Sequence, residues 1–136
     1  MKRILIDYII EATLKYLHTM PKEKRKLIGQ FFTSAETARY MVTMFNKPRK
    51  NELRILDPGA GSGILSAAII DRLQEDTTIE RIRLTCYETS EDILPLLKDN
   101  LLYMKENSLI PLDYEIIEEN YITSQAADFN QAMFAS

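Results

Sequence analysis

The run Ile55 to Gly63 reads ILDPGAGSG, and it holds three of the chain's four glycines. An acidic residue, Asp57, precedes them, and a second, Glu88, closes the alternating run Ile82 to Glu88 further on. Glycine permits positive backbone angles and lets the main chain approach a bound molecule, while a helix opening after such a turn offers free amides. Two ligand classes that use loops of this kind fit poorly. A phosphate cradle needs Gly-Lys-Ser/Thr at its end, and here Gly63 is followed by Ile64 and Leu65. A dinucleotide fingerprint is spaced Gly-x-Gly-x-x-Gly; here the third glycine arrives one residue early, and Ile64 holds the required place. What remains is Asp-x-Gly-x-Gly-x-Gly, carried by Asp57, Gly59, Gly61 and Gly63, with Ala60 inside it. A carboxylate at Glu88 is suited to take both hydroxyls of a ribose. A tight strand-to-helix connection would account for glycines alone, but not for the two acids that bracket them.

Hydrophobic spacing supplies the elements that must position these groups. Arg54 to Asp57 reads as a short strand, and Ile64 to Leu73 as a helix with Leu65, Ala68, Ile69 and Arg72 at helical steps. Ile82 to Glu88 alternates as a strand, with Ile82, Leu84 and Cys86 on one face. A helix is expected from Asp92, as its cap, to Lys105, with Pro95 tolerated in the first turn. Tyr114 to Glu119 is the third strand candidate. Strands separated by helix-length crossovers imply an α/β fold with a parallel sheet, and they bring Asp57 and Glu88 to one rim.

Upstream, Ile6, Ile10, Leu14 and Leu17 share one face of an amphipathic helix. Asp7, Glu11 and Lys15 interrupt that helix, which excludes a signal peptide or a membrane span there. Pro21 to Lys26, PKEKRK, is expected to be a solvated linker, with a nucleic-acid phosphate contact as the sharper alternative. Thr33 and Glu36 have capping-box spacing for a helix whose stripe is Ala38, Met41, Val42 and Phe45, closed by Pro48 and Asn51.

At 136 residues the chain suits one core, with 46% hydrophobic and 27% charged residues. A net charge of −3 excludes a wholly basic nucleic-acid module, so a DNA partner would need a local patch or surface outside this chain. One cysteine, Cys86, rules out an internal disulfide framework, fits a reducing cytoplasm and reads as a buried structural thiol. A single histidine, His18, has no histidine partner for a metal, and no metal site is expected.

Lys26 to Phe45, KLIGQFFTSAETARYMVTMF, followed by ILDPGAGSGIL, resembles the adenine-specific DNA amino-methyltransferases of bacterial restriction-modification systems. The resemblance implies S-adenosylmethionine as cofactor and a partial Rossmann-like methyltransferase sheet: its first three parallel strands with flanking helices, preceded by a helical N-terminal segment. Residues 1–28 would be that segment with its basic linker, and 29–136 a truncated S-adenosylmethionine-binding domain. In the family a Gly-Gln-Phe-Phe/Tyr-Thr-Pro segment folds over the cofactor's methionine end. Carried over, Phe32 and Thr33 are the contacts and Gly29 the turn, with Ser34 in place of the proline.

Asp57 would accept from the cofactor's ammonium, directly or through water, beside Gly59, Ala60, Gly61 and Gly63; Glu88 would hold the ribose. Thr89 stands where the family often has an apolar residue against the adenine ring, and Asn120-Tyr121 where it usually has Asp-Phe. Asp128, in Ala127 to Phe129, is the competing alignment for that third motif. The family's catalytic Asn/Asp-Pro-Pro-Tyr/Phe is absent: no Pro-Pro pair occurs, and the last proline is Pro111. The expectation is therefore the cofactor-binding front of a cytoplasmic enzyme, with no catalytic residue of its own and DNA as partner of the complete protein. The alternative is a non-catalytic cofactor-binding or interaction module completed by another chain. Without a fourth strand, the first becomes an edge and the surface around Ala67, Ala68 and Ile69 loses its cover. Self-association, a complementing C-terminal part or a folded-back N-terminal helix would follow.

Overall fold

Three strands run parallel because a helical crossover joins each to the next, and each puts apolar residues on alternate positions facing those helices. They are β1 (Glu52–Asp57), β2 (Arg81–Tyr87) and β3 (Leu112–Ile117), in spatial order β1-β2-β3. Five helices accompany them: α1 (Leu5–His18), α2 (Lys22–Gly29), α3 (Ala35–Thr43), α4 (Ile64–Leu73) and α5 (Leu94–Asn107). The computed structural model describes residues 4–29, 32, 34–43, 51–75 and 78–123. The expected α/β class and its first three methyltransferase-like strands are thus present.

Leu53, Ile82, Leu84, Cys86 and Leu112 point into one apolar core with Ile64, Ala67 and Ile70 of α4 and Leu97, Leu101 and Met104 of α5. The other face of the sheet carries Arg54, Leu56, Arg83 and Glu115, all exposed. Parallel sheets normally have both faces covered, so this sheet is one-sided among the described residues.

Several boundaries moved for local reasons. β3 starts two residues earlier than Tyr114, where Leu112 takes a core position beside Ile82. Asp92 does not cap α5; the helix begins at Leu94 without a side-chain cap, and Pro95 sits in its first turn as expected. Asp92 is instead held by Lys24 Nζ at 2.8 Å. Ser34, rather than Thr33, caps α3: its Oγ accepts the Thr37 N–H at 3.1 Å. Ala38 of the expected stripe is buried and Met41 half-buried; the Val42 side chain, Phe45 and Pro48 lie outside the described residues, as does Thr33.

The basic run expected to be a solvated linker is helical. Lysine, glutamate and arginine are good helix formers, Pro21 sits just ahead of the first turn, and its carbonyl accepts the Arg25 N–H at 2.8 Å. Ile28 is the buried residue that docks this short helix.

α1 also faces the core differently from its expected stripe. Leu5, Ile6, Ile9 and Thr13 are buried, whereas Leu14 is 54% exposed. Contacts from outside the helix accompany this orientation. Asp71, on α4, takes the Leu5 N–H on Oδ1 at 2.8 Å and the Ile6 N–H on Oδ2 at 2.9 Å, so a residue 65 positions away caps the N-terminus. Tyr8 stacks on Tyr103 of α5, with ring centroids 3.5 Å apart. With α1 and α3 both packed on α4, Ala67 and Ala68 are buried and Ile69 is half-buried. The surface expected to be bare is covered by the folded-back N-terminal helix.

Removing the Asp71 carboxylate tests the cap, together with the Gln74 Nε2 bond that Oδ1 also accepts at 3.2 Å. Asp71→Ala should destabilise the chain by about 2 kcal/mol in urea denaturation, the range for hydrogen bonds to a charged group. The amides of Leu5 and Ile6 should exchange with solvent markedly faster. An unchanged midpoint and unchanged exchange would show that packing alone seats α1.

Candidate functional site

Strand register delivers the candidate residues to one edge. Asp57 pairs with Cys86, and Tyr87 with Ile117, so Asp57, Glu88 and the segment after β3 share the carboxyl rim of the sheet. In open α/β sheets that rim is where ligands bind.

Asp57 is only 6% exposed. Its Oδ2 accepts the Ser66 hydroxyl at 2.9 Å, and its Oδ1 faces the Gly59 N–H at 3.4 Å. Burial raises its carboxyl above the usual range, against the pull of those two hydrogen bonds, and the nearby Glu88 charge adds to the rise. Burial chiefly, with the Asp57 charge, pushes the Cys86 thiol up to about 12, so this buried cysteine stays protonated and structural.

The glycines differ in what the chain itself demands of them. Gly61 and Gly63 have φ of 57° and 92°, in the left-handed region. A Cβ at Gly63 would also lie 2.9 Å from Met104 Cε, so the methionine's end would have to shift, but the positive φ strains any side chain there. Gly59 has neither constraint: its φ is not in that region, and a Cβ would meet nothing within 4 Å.

Three outside anchors set the loop. The Ala60 N–H donates to the Tyr87 carbonyl at 3.0 Å. The Gly61 N–H donates to Glu88 Oε1 at 2.8 Å. Asn100 Nδ2, from the middle of α5, donates to the Ser62 carbonyl at 2.8 Å. Glu88 Oε2 accepts the N–H groups of Thr89 and Ser90 at 2.9 and 3.0 Å. A carboxylate offers about four acceptor positions, so the three amides leave Glu88 room for one further donor before a bond must be exchanged.

Ser62 is 1% exposed, and its hydroxyl has no hydrogen-bond partner in the structure. A buried hydroxyl of this kind ordinarily has a partner. The open space at Gly59 fits a small molecule lying against the loop. A ligand with an ammonium and a ribose diol suits the two acids; the loop provides no lysine for a phosphate.

After β3, Tyr121 packs edge-on against Tyr87, with centroids 5.1 Å apart. Asn120 precedes it, exposed, with Oδ1 accepting the Thr123 N–H at 3.0 Å. Thr89 is exposed beside Glu88. Phe32 is half-buried in the bend between α2 and α3, its N–H 3.4 Å from the Gly29 carbonyl. Thr33 and Asp128 lie outside the described residues. The structure thus gathers Asp57, the glycine loop and Glu88, brings Tyr121 beside Tyr87 and leaves Phe32 on a separate connection. Among the described residues, no group of three or more His, Cys, Asp or Glu side chains is placed to hold a metal ion.

Ser62, Ser66 and Asn100 were missed in the sequence. Asn100 left a signal: it sits on the same helical face as Leu97, Leu101 and Met104, and a lone amide on an apolar face must bond to something.

A family model described as N-6 DNA Methylase matches residues 7–127. The chain is similar to the Type II methyltransferase M.BsuBI of Bacillus subtilis, at 33% identity over 101 residues, covering 74% of this chain and 19% of that protein. It is likewise similar to the Type II methyltransferase M.PstI of Providencia stuartii, at 30% identity over 142 residues, covering 96% of this chain and 27% of that protein. The chain spans between about a fifth and about a quarter of the length of these curated relatives.

The buried acid gives a pH prediction. Because the Asp57 carboxyl is raised from 3.8, the folded chain binds a proton that the unfolded chain releases. Stability from this group therefore falls as pH rises from the unfolded value through the folded one. Asp57→Asn keeps an acceptor for Gly59 and offers Ser66 a donor, without a charge. The stability of this variant relative to wild type should grow across that interval and then level off, read by urea titrations at a series of pH values. A constant difference would show that Asp57 is not desolvated.

Proposed function

Because the chain belongs to the N-6 DNA methylase family, we propose that it supplies the cofactor-binding part of a DNA adenine methyltransferase of a restriction-modification system. S-adenosylmethionine is the cofactor we assign to it. The observation that carries the assignment is the rim itself: a buried Asp57, a glycine loop in which Gly59 answers to no constraint inside the chain, and Glu88 just past the end of the adjacent strand. When bound, the cofactor supplies a methyl group on a sulfonium, for transfer to the exocyclic amine of adenine in the whole protein's DNA substrate.

The chain's own residues bind and orient. Asp57 attracts the ammonium, through water where its own bonds are kept. Glu88 takes the ribose hydroxyls, exchanging its Gly61 bond for the second of them. Gly59, Ala60, Gly61 and Gly63 form the floor. Thr89, Asn120 and Tyr121 bound the adenine end, with Asp128 as the alternative to Asn120, and Phe32 and Thr33 close over the methionine end. In this assignment residues 29–136 are the binding unit and 1–28 the helical segment laid against it. The uncovered sheet face, with Leu56 47% exposed beside the β1 edge, is a contact surface for further polypeptide of the methyltransferase.

Calorimetric titration tests the cofactor. S-adenosylmethionine should bind more tightly than NAD or ATP, and Glu88→Ala should cost about 1.5–3 kcal/mol of that binding. Gly59→Ala should weaken binding at unchanged thermal stability, whereas Gly63→Ala should lower stability itself. Tighter binding of NAD, or undiminished affinity in both Glu88→Ala and Gly59→Ala, would overturn the assignment.

The contact surface has its own readout. The chain alone should self-associate with rising concentration in light scattering, and Leu56→Glu should reduce this. A monomer at every concentration would contradict an adhesive sheet face.

A further inference from the structure

Helix α2 concentrates positive charge on a chain whose net charge is −3. Lys22, Lys24, Arg25 and Lys26 occupy four of its first five positions, with Glu23 the acid among them. A run of lysines is ordinarily a solvated face, and placement is what distinguishes this one. Lys24 Nζ bonds Asp92 Oδ1 at 2.8 Å, and the Tyr16 hydroxyl, near the end of α1, donates to the Asp92 carbonyl. Asp92 lies in the connection that leaves the carboxyl end of β2 just past Glu88. The basic helix is therefore seated beside the rim that carries the glycine loop, not at the far end of the sheet.

Helix geometry separates the roles of its lysines. At 3.6 residues per turn, Lys22 and Lys26 lie about 40° apart around the axis, and Lys24 lies roughly 160–200° from both. With Lys24 turned toward the Asp92 connection, Lys22 and Lys26 project from the opposite side. Both are exposed, and neither has an ion-pair partner among the described residues. Arg25 is half-buried between, with Nη1 3.3 Å from His18 Nδ1.

We propose that α2 is a contact for the DNA sugar–phosphate backbone, with Lys22 and Lys26 on its outer face neutralising phosphates beside the methyl-donor rim. The proposal rests on the assignment of the chain to a DNA methyltransferase. Such contacts position a duplex without reading its sequence, and each releases condensed counterions. The overall negative charge of the chain makes a local basic face the natural point of approach, because the rest of the surface repels a polyanion.

The test is the salt dependence of duplex binding by the whole chain, followed by fluorescence anisotropy of a labelled DNA duplex. Wild type should bind with a linear fall of log affinity against log salt. The double variant Lys22→Gln/Lys26→Gln should flatten that slope by about 1.8, at about 0.9 per lost phosphate contact, and to the same extent on two duplexes of unrelated sequence. The double variant Arg81→Gln/Lys105→Gln removes the same charge from exposed positions at the start of β2 and the last turn of α5, and should leave the slope unchanged. An unchanged slope in the first variant, an equal flattening in the second, no salt-dependent binding by wild type, or tighter binding of an RNA duplex of the same length would each overturn the proposal. Titration of the same samples with S-adenosylmethionine separates the two assignments: loss of cofactor binding would strike the methyltransferase reading, while the salt slopes judge α2 alone.

Discussion

Parallel pairing of β1 with β2 decides where every candidate group stands. With Asp57 opposite Cys86, the chain leaving β1 passes the end of β2 closely enough for the Ala60 N–H to reach the Tyr87 carbonyl and the Gly61 N–H to reach Glu88. A slip of one residue would turn Asp57 away from Ser66 and bring Leu56 to the core face. The glycine loop is therefore not an independent motif. Its shape is imposed by the register beneath it, and its left-handed positions at Gly61 and Gly63 accommodate the turn that the register requires.

Both acids of the rim are bonded within the chain itself. Asp57 and Glu88 accept the loop's own donors, which stiffens the site before anything binds. Pre-organisation of this kind lowers the entropy that binding must overcome. It has a thermodynamic cost, since a buried carboxylate held beside a second one is disfavoured in its charged form. Asn100 performs a related task from the opposite side: a buried amide in an apolar helix is tolerated because the Ser62 carbonyl gives it a partner.

The helical face of the sheet is finished by tertiary contacts made over long sequence distances. Asp71 stands on α4 but caps α1, and α1 in turn covers Ala67 and Ala68. Tyr16 and Lys24 meet at Asp92, which draws α2 toward the rim. Among the described residues the two faces of the sheet are consequently unlike: one closed by α1, α4 and α5, the other lined by Arg54, Arg83, Glu115 and Leu56 and open. The basic run expected to be a linker is thereby a helix seated beside that rim.

The amino-acid sequence by itself determined the α/β class, the strand–glycine loop–helix order, the positions of Asp57 and Glu88 at adjacent strand ends and the burial of Cys86. Those features follow from period-2 and helical spacing and from glycine's freedom at positive φ, all of them properties of short stretches. Tertiary structure decided the rest. Leu14 is exposed and Ile9 buried because contacts from α4 and α5 hold α1 in this orientation, which periodicity along one helix does not encode. Asp92 pairs with Lys24 instead of capping α5 because an ion pair between separate elements competes with a local cap. Residues 22–29 are docked on the domain because Ile28 finds a buried place, a fact about neighbours that their charge run conceals. Gly59 could be told apart from Gly61 and Gly63 only in three dimensions, since a backbone angle and the distance to Met104 are not written in the letters.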